Sequence, residues 1–384
     1  MNKISEVGKV VRHRRIKTVV DNGGIPTAAA KTTQLARPED LPALDETLKE
    51  HREEALKRGR RHKRQLKKGS FNVMVSSLGL IAVMVGLFFG YGYFLLQKRQ
   101  SYSSLAYSIS RIVPYAASEV DGEEVSYEDY LFILRQNVHY LVDFEGVGAE
   151  KIDVNTEDGN RIIEQKKLEA LSQAEGYAFI NKKARELNIS VSDTEVNAAI
   201  DELLVLRGNS TRAELATTLK AHYGWGIKDY ERFYRQVILK RKVLSSLDET
   251  AKGKINSARD RVKAGEDFAA VAAELSEDEA SRAANGSVGK VNIKLNNANF
   301  SYTILETLKG LGEGQVSEPV VTNDAFYIFK NVKTYSENEK DILMIKVVFK
   351  PAEVYLKRLE SEGKVKRNLV LKSLVVEDEA PAQQ

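Results

Sequence analysis

The sequence of 384 residues contains no cysteine. Disulfides, thiol nucleophiles and thiolate metal sites are therefore excluded, although this absence does not decide the redox compartment. Histidine is scarce as well, and the last of the five histidines is His222. Any chemistry located from Lys228 onward must therefore proceed without imidazole. We expect neither a cofactor nor a metal site in this chain.

Charge is missing from one long stretch, because no acidic or basic residue occurs from Gly69 to Gln97. Within it, Phe71 to Leu96 supplies the roughly 20 apolar residues that a helix needs to cross a bilayer. The preceding segment, Lys57 to Lys68, is rich in lysine and arginine without any acid, which predicts a cytoplasmic N-terminus. Everything after the helix would then lie outside the cytoplasm, in a periplasm or at the outer cell surface. The alternatives are a buried core helix and a cleaved signal peptide, but a signal peptide lies closer to the N-terminus.

The head, residues 1–68, carries 18 basic and nine acidic residues, whereas the whole chain has a net charge of +4. The part beyond the apolar stretch is therefore acidic overall, and no nucleic-acid partner is expected there. Glycine and proline interrupt residues 1–44, which predicts disorder, and residues 45–68 predict a solvated helix. The basic cluster would fix the topology and attract anionic lipid headgroups, at about 1 kcal/mol per residue. Binding to ribosome or nucleic acid is the minor alternative.

A tether over residues 98–116 is predicted to lead into a first domain, residues 117–247, with a helical pattern. A strand and turn precede a helix that begins at Ser126, and Ser192 and Thr211 are each followed three residues later by glutamate, as in a capping box. Residues 143–159 lose the helical pattern and predict a surface loop. Trp225 is interpreted as a core residue, and His139 and His222 as surface or partly buried residues without a shared site.

Three phrases of this domain are specific in their order and spacing. They are VDGEEVSYEDY, ARELNISVSDTEVNAAID and AHYGWGIKDYERFYRQVILKRKV. Together they resemble the helical N-terminal domain of SurA, PrsA, PpiD and trigger-factor-like exported chaperones. The resemblance implies a groove that holds unfolded exported polypeptides through apolar contacts, with no catalytic constellation. A generic helical bundle is the alternative.

The next segment, residues 248–350, mixes helices with short strands, including a strand at Val291 to Leu295 and a helix at Tyr302 to Leu308. Over about residues 249–335 it resembles the parvulin-type prolyl isomerase, or rotamase. The phrases that carry the resemblance are KAGEDFAAVAAELSEDEAS, AANGSVGKV, GQVSEPV and AFYIFKNV. The resemblance implies an α+β fold and peptidyl-prolyl isomerase activity.

Two departures from the parvulin pattern predict weak or absent catalysis. Active parvulins carry one histidine on the first strand and one on the fourth, and Tyr327 occupies the fourth-strand position here. The first strand is missing from its usual place, but Ile342 to Phe349 predicts a strand that forms a hairpin with the fourth. If this strand fills the slot of the first, as in a permuted domain, Lys346 stands where the other histidine would be. The alternative is a linker strand, which would leave an apolar edge exposed.

The apolar proline pocket of parvulins is retained in part. Phe300 and Ile304 align with residues that line it, whereas Lys309 stands where a phenylalanine is usual. Prolyl isomerisation needs no nucleophile, since its barrier of about 18–20 kcal/mol falls when the bond is desolvated and the twisted state is bound. Loss of the histidines therefore predicts a peptide-binding module with little isomerase activity.

The remainder, residues 351–384, contains a predicted helix at Ala352 to Glu362, an apolar run and an acidic tail. By resemblance, this C-terminal segment returns to complete the helical domain. The whole chain is thus predicted as an α+β protein with a single transmembrane helix, and as an extracytoplasmic chaperone. Two alternatives remain, an active prolyl isomerase in which Tyr327, Lys346 and Asp324 replace the usual polar groups, and a scaffold for envelope assembly.

Overall fold

The computed structural model describes residues 42–143, 151–294, 297 and 300–371. The predictions for residues 1–41, for part of the loop before Glu157 and for the acidic tail lie outside these residues. Helices occur at α1 Pro42–Tyr93, α2 Ser104–Ser110, α3 Tyr127–Val142, α4 Glu157–Glu186, α5 Asp193–Leu206, α6 Arg212–Tyr223, α7 Ile227–Leu247, α8 Glu249–Lys263, α9 Phe268–Leu275, α10 Glu279–Ala283, α11 Tyr302–Gly310 and α12 Ala352–Ser361. Strands occur at β1 Ala116–Val120, β2 Glu123–Ser126, β3 Ser287–Asn292, β4 Val320–Val321, β5 Ala325–Ser336, β6 Glu339–Val348 and β7 Val365–Arg367.

The chain divides into two compact units, Met1–Ala82 and Val83–Gln384. Helix α1 continues without a break from the predicted solvated helix into the apolar stretch. It begins at Pro42, which is inside the segment predicted to be disordered. The apolar segment Val73–Lys98 covers the end of α1 and the π-helical turn that follows it. Its most apolar window has a mean hydropathy of 2.3 and is not buried by protein. This segment is therefore long enough and apolar enough, as a helix, to cross a membrane.

The predicted tether over residues 98–116 is wrong, because this segment folds. After a π-helical turn at Phe94–Lys98, Ser103 caps α2, and the helical spacing of Ala106 and Ile109 turns both side chains into the core. The hydroxyl of Tyr127 donates to the carbonyl of Leu96, which is itself fully buried. The chain therefore passes from the apolar helix into the folded core without a free linker.

Helices α3 to α7 form the helical part, and its local signals are confirmed. Ser126 caps α3, and capping boxes start α5 at Ser192 and α6 at Thr211. Trp225 is buried and stacks on Phe132, with ring centroids 5.0 Å apart.

The C-terminal segment returns to this helical part, as predicted. Strand β7 pairs antiparallel with β1 and completes a small sheet in the order β2-β1-β7. The guanidinium of Arg367 donates to both carboxylate oxygens of buried Glu175, at 2.9 Å each. Tyr355 of α12 stacks on Phe179 of α4, with centroids 5.5 Å apart.

A second, four-stranded antiparallel sheet has the order β3-β6-β5-β4. The predicted hairpin between β5 and β6 is present, and β6 lies in the middle of the sheet. The predicted strand at Val291 to Leu295 is displaced, since β3 begins at Ser287 and ends at Asn292, which is opposite the first residue of β6. The turn before β3 needs Gly286, whose φ is +87° and where a Cβ would lie 2.8 Å from the Cβ of Ala272.

Side chains on the central hairpin alternate between two apolar layers, as the period of a strand requires. Ile328 and Ile345 are opposite each other and join the core on the side of α8 and α9. Their neighbours Phe329 and Met344 join the smaller core beneath α11. The next pair on this second face is Tyr327 and Lys346, of which Tyr327 packs against the edge of the small core.

Candidate functional site

A cleft of about 470 Å³ lies between the helical part and the second sheet. One wall comes from α5 and α7. The opposite wall comes from the start of α11, the turn before β5 and the face of the β5–β6 hairpin that carries Tyr327 and Lys346. Both walls present apolar and polar side chains, so the cleft has the mixed character of a ligand-binding surface.

Tyr327 and Lys346 meet on the floor of this cleft because they are register partners in the antiparallel hairpin, which places their side chains on one face. The Lys346 ammonium lies 5.7 Å from the centre of the Tyr327 ring and 3.8 Å from the carboxylate of Asp324. The Tyr327 ring also stacks on Phe329, with centroids 5.7 Å apart and planes inclined by 6°. Packing on Phe329 therefore fixes the tyrosine at the cleft surface.

The protonation states of this pair follow from its surroundings. Burial raises the pKa of Tyr327, and the nearby ammonium opposes this only in part. Burial alone would lower the pKa of Lys346, but Tyr327 and the carboxylates of Asp324 and Asp278 outweigh it, so the pKa is raised. At neutral pH the phenol is thus neutral and the amine is charged. Both groups can donate hydrogen bonds to a peptide carbonyl, and neither is poised as a general base.

The two predicted pocket residues lie in the same cleft. Ser301 caps α11, and this places Phe300 and Ile304 at the helix start, facing the hairpin. Ile304 is buried in the small core, whereas Phe300 is half-buried and open to the cleft. Lys309 lies at the other end of α11, exposed and 3.9 Å from Glu306. The structure thus brings Tyr327, Lys346, Phe300 and Ile304 together, and their roles stay predictions.

The opposite wall was missed by the sequence reasoning. Tyr234, Val237 and Arg241 follow one another at helical spacing on α7, and Glu202 of α5 faces them. Burial raises the pKa of Glu202, opposed in part by the charge of Arg241. A signal was present, because α7 carries more aromatic and apolar positions than one buried stripe requires. Val237 is one of these positions, and it is only half-buried.

Away from the cleft, His139 and His222 are both partly buried, as predicted. The His139 ring lies 3.1 Å from the carboxylate of Asp143, and the His222 ring lies 3.0 Å from the carbonyl of Thr218. Among the described residues, no group of three or more histidine or acidic side chains is arranged to hold a metal ion.

Comparison with known proteins defines the class of this fold. Residues 238–333 match the rotamase family, described as the PPIC-type PPIASE domain. The match ends within β5 and leaves β6 outside it. Residues 238–333 therefore form a parvulin-type domain, and the predicted resemblance to parvulins is confirmed.

Between about half and two thirds of the chain is similar to proteins named Foldase protein PrsA. The protein of Clostridium botulinum strain 657 is 23% identical over 302 residues, which cover 65% of this chain and 86% of that protein. The protein of Clostridium acetobutylicum is 22% identical over 258 residues, 55% of this chain and 76% of that protein. The chain thus contains a parvulin-type domain and is similar to proteins named foldase.

Proposed function

We propose that this protein is a membrane-anchored chaperone, or foldase, that binds unfolded exported polypeptides outside the cytoplasm. The similarity to proteins named foldase supports the chaperone class. The apolar helix among the described residues supports the anchor, and the basic residues before it support a cytoplasmic N-terminus. These basic residues would contact anionic lipid headgroups. The folded residues beyond the helix would then meet polypeptides as they leave the membrane.

The observation that carries this proposal is the cleft with Tyr327 and Lys346 on its floor. An extended segment placed there would meet the Phe300 ring on one side and the α7 wall on the other. The Lys346 ammonium and the Tyr327 hydroxyl would hold backbone carbonyls, a kind of contact that does not depend on side-chain sequence. Such a surface suits clients that share no sequence.

We further propose that the parvulin-type domain is permuted. In parvulins the first strand pairs with the fourth, and here β6, which follows β5 in the chain, occupies a central place beside it. Lys346 then stands opposite Tyr327, as the two parvulin histidines stand across the prolyl bond. Since the phenol is neutral and the amine charged, we expect isomerase activity to be weak or absent, and the domain to act mainly in binding.

Binding in the cleft is tested by the variant Tyr327→Ala in the full chain. We expect the affinity for an unfolded client peptide to fall roughly tenfold, which corresponds to about 1.4 kcal/mol. Tyr335→Ala is the matched control, because Tyr335 lies on the same strand, exposed and outside the cleft lining. Suppression of aggregation of a denatured client should weaken in the first variant alone. Equal behaviour of the two variants would remove the cleft from the proposal.

An active isomerase is the second candidate, and the polar cluster of Tyr327, Lys346 and Asp324 in the cleft favours it. Proline isomerisation of a tetrapeptide separates the two. We expect a rate close to the uncatalysed one. A rate in the range of active parvulins, lost in Lys346→Met, would establish the isomerase instead. Recovery of one stoichiometric envelope partner in place of many clients would favour the scaffold.

A further inference from the structure

The last turns of the apolar helix pack against folded chain before the apolar stretch ends. The hydroxyl of Tyr115 donates to the carbonyl of Phe89, at 2.8 Å. Gly92 lies so close to α2 that a Cβ would be 3.0 Å from Cγ2 of Ile109. Leu96 is fully buried. Residues 109–115 therefore stand level with residues 89–96 of the helix.

The length of a spanning helix places this level at the membrane surface. A bilayer core of roughly 30 Å takes about 20 helical residues. Counted from Phe71, where the predicted apolar span begins, such a helix ends at Gly90. The contacts at Phe89 and Gly92 thus fall where the helix reaches the headgroups. Tyr91 and Tyr93 are exposed at the same level, and tyrosine is enriched at this interface.

The segment that packs there has the surface of an interfacial membrane contact. Leu105 is 54% exposed and Ile112 is 70% exposed, although the side chains between them at Ala106 and Ile109 are buried. Between Gln97 and Glu119 the sequence has three basic residues and no acidic one. All three, Lys98, Arg99 and Arg111, are exposed. Apolar tips beside cations match the boundary between acyl chains and anionic headgroups.

We propose that Leu105 and Ile112 insert into the headgroup region of the leaflet that lies on the side away from the N-terminus. Arg99 and Arg111 then contact anionic headgroups. This inference rests on the membrane anchor of the proposed function and adds a second membrane contact to it. The folded part is then held against the bilayer in one orientation, and the client cleft keeps a fixed height above the surface.

Single-cysteine variants test this contact cleanly, because the natural chain has no cysteine. Ile112→Cys and Leu105→Cys in the full chain are labelled with an environment-sensitive fluorophore and reconstituted into vesicles that contain phosphatidylglycerol. Leu78→Cys reports on the spanning helix. Val332→Cys, an exposed apolar position on the second sheet, is the control. Lipids that carry a spin label near the headgroup or near the chain end serve as quenchers.

We expect the headgroup-level quencher to dim labels at positions 112 and 105 more than the deep one, and the reverse at position 78. The label at position 332 should be dimmed by neither. If positions 112 and 105 behave like 332 while 78 is quenched, the second contact is wrong and the anchor stands. If 78 also escapes both quenchers, the anchor of the proposed function fails. In phosphatidylcholine vesicles, quenching at 112 should decrease, and unchanged quenching would remove the arginines from the contact.

Discussion

The two sheets of this protein are each completed by a strand from late in the chain, but in different places. Strand β7 adds to the edge of the small sheet and is held there by Arg367 and Glu175. Strand β6 forms the middle of the second sheet and buries Ile345 and Val347 completely. The first closure lies at an edge and includes a buried charged pair, whereas the second lies in the middle of its sheet and depends on apolar packing across both faces. The two parts should therefore respond to different perturbations.

The largest effect is expected from Ile345→Ala in the central strand. Truncation of a fully buried isoleucine leaves a cavity and lowers the free energy of unfolding by about 2–5 kcal/mol. Val348→Ala is the control, since Val348 lies on the same strand and is exposed. Hydrogen exchange should report the loss in the second sheet and not in β1 and β2. A loss spread equally over both sheets would show that they do not unfold separately.

The edge strand is tested by Arg367→Ala. Removal of the guanidinium leaves the Glu175 carboxylate buried without its charged partner, which costs roughly 3 kcal/mol, at the low end because Arg367 is itself 44% exposed. Lys366→Ala removes a more exposed charge from the same strand and should cost little. Hydrogen exchange at β1 reads the result. Equal losses in the two variants would refute the importance of the buried pair.

A smaller loss of stability is expected when the buried charge of the second sheet, the Lys340 ammonium, is removed. The Lys340 ammonium is buried and donates to the carbonyls of Leu308, Lys309 and Leu311 at the end of α11, at 2.7–3.0 Å. Lys340→Met removes these three bonds, although Leu311 keeps a bond from the Asn331 amide and Leu308 one from the Leu311 N–H, and the expected cost is about 1–3 kcal/mol. Chemical denaturation measures the loss, with the exposed Lys333→Met as control. If the two variants are equally stable, the capping contributes nothing.

The smallest expected effect is on the loss of stability at low pH. Burial raises the pKa of Glu128, but hydrogen bonds from Arg232 and Tyr107 outweigh it, so that the pKa is lower in the folded state. Its contribution to stability is therefore complete above the unfolded pKa and is lost as pH falls through the lower, folded value. Glu128→Gln should flatten the acid side of the stability profile of the helical part. The exposed Glu124→Gln should leave it unchanged, and an identical profile for both would contradict the assignment.

The features that the sequence could predict are local ones. The caps at Ser126, Ser192 and Thr211 depend on residues three positions apart, and the β5–β6 hairpin on two apolar runs joined by a short polar turn. The tether was misread because Ala106 and Ile109 form only a short stripe, and their burial depends on residues far along the chain. The α7 wall of the cleft was missed for the same reason. Its side chains acquire a role only when a distant hairpin faces them.

The central place of β6 also has a consequence in time. Strand β3 pairs with β6 and not with β5. The strands of the second sheet that precede β6 in the chain, β3 on one side and β4 with β5 on the other, therefore do not pair with each other. During synthesis from the N-terminus, β3 has no strand partner until Glu339 to Leu343 of β6 have been made, whereas α3 to α7 already contact one another. A protein proposed to bind unfolded polypeptides therefore passes through a stage of its own synthesis in which its second sheet is still incomplete.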